Sequence, residues 1–223
     1  MPAIGASTTG GHTGYWPIFR TLAGVLTRIV SQVGHGRVSF MNDAMTLGRL
    51  DIAPAVGRPD LLAPPVVSAL AGFAAAAGVF VAPIDPDLAD TAAFCDAYDV
   101  PLSASANCVV VTGKRAGEQR WAAAVVLATT RADVNNVVRR RLDVRKVSFA
   151  AMADAVAATG MEYGGITPIG LPEGWPVLID AAVAAAGPVV IGSGLRGSKI
   201  VIDGAVLGRL PGAEVIEGLA NPI

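Results

Sequence analysis

Residues 189–203 read VVIGSGLRGSKIVID. Two apolar runs, Val189–Ile191 and Ile200–Ile202, flank a glycine-rich centre. Gly192, Gly194 and Gly197 stand at the Gly-x-Gly-x-x-Gly spacing of dinucleotide-binding loops, and Glu214 lies 20 residues beyond Gly194. That fingerprint needs a helix after its third glycine. Lys199–Asp203 alternates as a strand instead, and the 26 residues after Gly197 are too few for the rest of a Rossmann domain. The stretch is therefore read as a glycine-rich hairpin lining a pocket. A nicotinamide site is not expected.

Working outward, short strands are predicted at 47–53, 79–82, 106–111, 121–128 and 176–180, with 112–120 as a hairpin connection carrying Gly113 and Gly117. Helices are predicted from Pro65 to Ala77, Leu88 to Tyr98, Asp133 to Leu142 and Phe149 to Thr159. Strands and helices do not alternate regularly, which disfavours a doubly wound sheet and indicates a mixed α+β chain. Three regions are expected. Residues 1–40 hold no acidic residue and both histidines, and are read as a disordered or loosely docked extension. No Lys or Arg precedes Arg20, so a signal peptide is not expected; an acid-free leader has some transit-peptide character, and Met41 or Met45 is an alternative start. Residues 41–64, with Pro54, Pro59 and Pro64, form an extended lead-in, and 65–223 form the main domain.

Composition removes whole classes of chemistry. The 223 residues are 52% hydrophobic and 16% charged, with a mean hydropathy of +0.53. A disordered chain is excluded. No run of ~18 uncharged apolar residues supports a membrane span. The net charge of −1 announces no global basic field for nucleic acid. His12 and His35 are the only histidines, so residues 36–223 can assemble neither a Ser-His-Asp nor a Cys-His pair, nor an ordinary zinc site. No metal or cofactor is expected. Cys95 and Cys108 are too few for a disulfide framework and indicate a reducing cytoplasm. Each reads as a small core residue rather than a nucleophile.

Three features remain as carriers of chemistry. The first is GGITPIG, Gly164 to Gly170. Its glycines allow close backbone approach, Thr167 adds a hydroxyl and Pro168 stiffness. Such a loop can aim N–H groups at an anion or developing oxyanion; it can equally be a tight turn. The second is the Gly192–Gly194 turn with Asp180 at a neighbouring strand end, Asp180 being a polar pocket residue or a turn cap. The third is the run Arg131–Lys146, with six basic residues against two acidic. It is a candidate phosphate contact or a solvated helix face.

Taken together, TGMEYGGITPIG (159–170), VLID (177–180) and VIGSG (190–194) resemble, in order and spacing, the YbaK/EbsC family, over roughly residues 65–218. These are trans-editing aminoacyl-tRNA deacylases related to the editing domain of bacterial prolyl-tRNA synthetase. The resemblance implies a mixed, barrel-like β-sheet packed with helices. It implies hydrolysis of the ester joining a wrongly attached small amino acid of the Ala, Cys or Ser class to tRNA, which goes with the cytoplasmic location expected from the cysteines. It also implies misacylated tRNA as partner, an aminoacyl-tRNA synthetase as a candidate second partner, and no dedicated side-chain nucleophile. Backbone N–H groups of Gly164 and Gly165 would hold the oxyanion. Ile166, Thr167, Pro168, Gly170, Asp180, Gly192, Ser193 and Gly194 would line the substrate, and Arg139, Arg140 and Arg141 would contact the tRNA backbone. The family's usual lysine at the start of the central strand is here Asn107. A compensating cation is sought among Arg139, Arg196 and Lys199. The alternative that Asn107 raises is an inactive module that binds tRNA 3′ ends or a protein partner.

Overall fold

The computed structural model describes residues 39–41 and 44–223, with side chains from Leu47 onward, so all but the last two residues of the 1–40 extension lie outside the described residues. In chain order the elements are β1 (Ser39–Met41), β2 (Ala44–Thr46), β3 (Ala53–Pro54), α1 (Pro64–Ala71), β4 (Val79–Pro83), α2 (Thr91–Tyr98), β5 (Ala106–Arg115), β6 (Glu118–Leu127), β7 (Thr130–Ala132), α3 (Arg139–Arg141), β8 (Val147–Phe149), α4 (Met152–Thr159), β9 (Val177–Asp180), α5 (Ala181–Ala185), β10 (Pro188–Gly192), β11 (Ser198–Asp203), α6 (Gly204–Leu207), β12 (Ala213–Ile216) and β13 (Ala220–Pro222).

The mixed α+β class holds. One sheet has the order β12-β9-β6-β5-β8 and another β10-β11-β4-β3. In the first, β12, β9 and β6 run parallel, while β5 is antiparallel to β6 and β8. The second is antiparallel throughout. A parallel bridge between Ser105 and Val190 joins the two sheets where β5 begins, and they do not close into a barrel.

The inner strands β9, β10 and β11 read as near-continuous apolar runs because both of their faces are covered. Val189 and Ile191 of β10 and Ile200 and Ile202 of β11 face a core shared with Val125, Ile179 and α1. The alternate residues Val190 and Val201 pack with Phe94 and Cys95 of α2. Ala122, Ala124 and Val126 of β6 face Val134, Val138 and Leu142 on the outer side.

Several boundaries differ from the sequence expectation. The 112–120 connection is only Ala116–Gly117, a two-residue turn with φ of 50° and 87° that suits the strand twist, so β5 and β6 pair over ten residues. Phe149 belongs to β8, because the edge of β5 at Val111–Gly113 is open and takes up Val147–Phe149. The 47–53 strand shrinks to Ala53–Pro54, and α1 ends at Ala71 with Gly72 as its C-cap. The 133–142 helix begins as a π-helical turn, Val134–Val138, with the Asp133 side chain accepting from the Asn136 N–H. Among the described residues no helix is long and apolar enough to cross a membrane.

Candidate active site

Two glycine-containing segments distant in sequence interlock to build the site. The Gly165 N–H donates to the Glu162 carbonyl at 3.0 Å, closing a tight turn. The Gly194 N–H donates to Gly165 O at 2.7 Å, and the Glu162 N–H returns a bond to Gly194 O at 2.8 Å. The Glu162 carboxylate accepts from the Arg196 N–H at 2.6 Å. Such close backbone contact requires glycine. A Cβ on Gly165 would lie 2.5 Å from Leu195 O, and one on Gly192 would collide with the Gly165 and Ile166 carbonyls.

Beside this interlock lies a cavity of about 430 Å³. Asn107 of β5, Thr91 and Phe94 of α2, Gly164, Gly192 and Lys199 mark its walls. Thr91 Oγ1 donates to Asn107 Oδ1 at 2.7 Å, which fixes the amide and turns its NH₂ group away from that partner. Lys199 is 8% exposed. Its Nζ donates to Ala89 O at 2.9 Å and, weakly, to Gly164 O at 3.5 Å, and sits 5.4 Å from the centre of the Phe94 ring. Burial, with nearby Arg196 adding to it, pulls the Lys199 pKa below the ordinary lysine range. Cys108 also lines the cavity, and burial pushes its thiol up to about 12, so no thiolate forms near neutral pH. Burial likewise raises the Cys95 thiol.

The mouth is apolar. Phe149, Met152 and Tyr163 line it while remaining 59%, 55% and 58% exposed. Phe149 also borders a second groove, with Arg131, Asn135 and Ser148. The sequence reading missed this rim. An aromatic next to a paired glycine, Tyr163 before Gly164, was the available signal.

The structure thus brings together Asn107, Gly164, Ile166 and Gly192. It does not bring in the rest of the expected set. The Gly165 N–H is committed to Glu162 and is not free to meet an oxyanion. Thr167 is fully buried, its hydroxyl has no partner among the described residues, and it does not line this cavity. Pro168 and Gly170 face a different cavity of about 480 Å³ beside Phe73 and Trp175. Asp180 is the cap of α5, its Oδ1 accepting from the Ala182 N–H at 2.7 Å. The Ser193 hydroxyl bonds Ser198 Oγ at 2.7 Å inside the β10–β11 turn, and Gly194 is held in the interlock. Arg139 and Arg140 bond the Asn135 and Asn136 carbonyls, and Arg141 pairs with Glu214; none of the three lines the cavity. Arg196 lies 3.9 Å from Asp90. Among the described residues no three His, Cys, Asp or Glu side chains are grouped to hold a metal ion.

Comparison with known proteins gives a consistent picture. The family described as aminoacyl-tRNA editing domain matches residues 85–210. A solved structure of a candidate trans-editing enzyme for prolyl-tRNA synthetase superposes with a TM-score of 0.59 at 18% identity, covering 70% of this chain and 94% of that one. A scaffold protein used for epitope grafting gives 0.60 at 19%, over 70% and 95%. A hypothetical protein gives 0.56 at 18%, over 63% and 90%. At these identities the likeness is one of fold. No curated protein sequence matches the chain.

Proposed function

Because the chain belongs to the aminoacyl-tRNA editing domain family, we propose that it is an aminoacyl-tRNA deacylase. It would act in trans in the cytoplasm on tRNA carrying a small misattached amino acid of the Ala, Cys or Ser class. The observation that carries this reading is the cavity of about 430 Å³ shared by Asn107, Gly164, Gly192 and Lys199. That volume is within the roughly 300–1,000 Å³ of small-molecule sites. A terminal ribose, an ester and a short acyl side chain fit within it.

The chemistry suits a site without histidine. An aminoacyl ester is already activated, so water needs placement and the carbonyl oxygen needs a donor as charge builds on it. A donor of that kind contributes on the order of 3 kcal/mol. Gly164 lines the cavity, and its N–H forms no backbone hydrogen bond among the described residues. Asn107 offers amide hydrogens to the ribose or the amino group. The exposed Phe149, Met152 and Tyr163 give the terminal base an apolar seat. The groove beyond Phe149 is lined by Arg131–Asn135, the stretch just before Arg139–Arg141, and we assign those three arginines to the tRNA backbone. An aminoacyl-tRNA synthetase remains a candidate partner through that bound tRNA. We take 65–223 as the editing domain, with 41–64 leading into it.

The test is a deacylation screen with tRNA mischarged with Ala, Cys or Ser, beside correctly charged prolyl-tRNA. Release from the misacylated set and sparing of cognate prolyl-tRNA is the expected result. Tight tRNA binding with no release from any member would instead support the inactive binding module.

A further inference from the structure

Among the described residues Lys199 is the only buried lysine or arginine, and it makes no ion pair there. An ammonium taken out of water is costly unless something in its site compensates. Two carbonyl oxygens and the face of Phe94 compensate in part. An ammonium has three N–H donors, and among the described residues the third has no protein acceptor. Lys199 lines the same cavity as Asn107 and Gly164, so the missing partner is a negative or negatively charging group brought into that cavity. Arg196 does not line the cavity and pairs with Asp90 instead, and Arg139 lies elsewhere.

We propose that Lys199 Nζ holds the ester carbonyl oxygen of the substrate as it becomes an oxyanion. The inference rests on the deacylase reading above. The position favours this role over a phosphate contact, because Nζ is held between Ala89 O and the ring of Phe94, both residues almost fully buried, whereas the exposed rim is the side open to a phosphodiester. In the reaction the water oxygen bonds to the carbonyl carbon, and the carbonyl π electrons move onto the oxygen held by Lys199. Collapse breaks the bond to the ribose oxygen. A proton from the attacking water ends on that oxygen, giving the free amino acid and the tRNA hydroxyl. Lys199 keeps its own protons throughout.

The experiment is single-turnover deacylation of tRNA mischarged with Ala, Cys or Ser by the full chain, with rate constant and half-saturation measured separately. Lys199→Met should lower the saturated rate constant by roughly 10²- to 10³-fold, the loss typical of an oxyanion donor, and leave half-saturation within about twofold. Lys199→Gln, which keeps a donor without its charge, should fall between, and decides the matter if the Met variant does not fold. Either variant folded and at the wild-type rate overturns the proposal. So does a loss carried wholly by half-saturation, which would mark a ground-state phosphate or carboxylate contact. A wild-type chain that releases none of the three amino acids overturns the deacylase reading itself, and this role with it.

Discussion

Gly192 and Lys199 are partners across the β10–β11 ladder, and the missing side chain of one makes room for the loop that the other reaches. With no Cβ at 192, the Gly165 and Ile166 carbonyls settle against the strand, and Gly164 O comes within 3.5 Å of Lys199 Nζ. Backbone packing and the placement of the cavity's cation are therefore one structural event.

Gly165→Val and Gly192→Ala should fail through packing rather than by blocking substrate. In each case a Cβ meets backbone that cannot move without opening the interlock. Overpacking of this kind costs about 1–3 kcal/mol or more. Urea denaturation should show both variants destabilised, with deacylation reduced in proportion. A Gly165→Val protein as stable as wild type would refute the close approach of the two segments.

Cys108→Ala and Cys95→Ala should retain turnover. Burial holds both thiols protonated, Cys108 at about 12. The losses should be confined to packing, about 1 kcal/mol each. Folded Cys108→Ala protein without single-turnover activity would reveal a thiol nucleophile and overturn the mechanism.

Asn107→Lys should have opposite effects in two backgrounds. In the wild type it adds a second ammonium to a cavity that already holds Lys199, and like charges in one site oppose each other. Melting temperature and rate constant should both fall. In the Lys199→Met background the same change restores a cation to the cavity and should raise the rate at least tenfold. Equal effects in the two backgrounds, measured by a double-mutant cycle, would separate the two positions.

Stability should depend on pH through Lys199. Its folded pKa lies below the unfolded value of 10.5, lowered first by burial and then by Arg196, and raised by Asp90 and Cys95. Between the two values the unfolded chain binds more protons, so stability rises with pH toward the unfolded pKa. Below the folded pKa the charged lysine carries its full burial cost. Comparing urea midpoints at about pH 7 and about pH 10, wild type should gain relative to Lys199→Met. A constant difference between the two proteins contradicts the shift.

Arg139→Ala with Arg140→Ala should weaken all tRNAs alike and reduce the slope of log affinity against log salt by about 2, one for each phosphate that is no longer neutralised. Arg141→Ala should do less, because its guanidinium is paired with Glu214. An unchanged slope in the double variant assigns the run to a solvated helix face.

Much of this protein was legible in sequence because the deciding signals were local. Val189–Ile191 and Ile200–Ile202 declare strands whatever lies around them, and Lys199–Asp203 following Gly197 as a strand disposes of the dinucleotide loop. The absence of histidine after His35 bounded the chemistry, and three short motifs pointed to the family. What sequence could not rank was decided by partners remote along the chain. Asp180 became a helix cap when Ala182 turned back on it. Gly165 gave up its free N–H to Glu162, while Pro168 and Gly170 turned toward another cavity. Lys199, rather than Arg139 or Arg196, was brought to the cavity wall, its ammonium donating to Ala89 O, 110 positions away. Periodicity is a property of neighbours and survives in any fold, whereas the solvation of an amine or the freedom of an N–H depends on atoms that only the folded chain brings within about 3 Å.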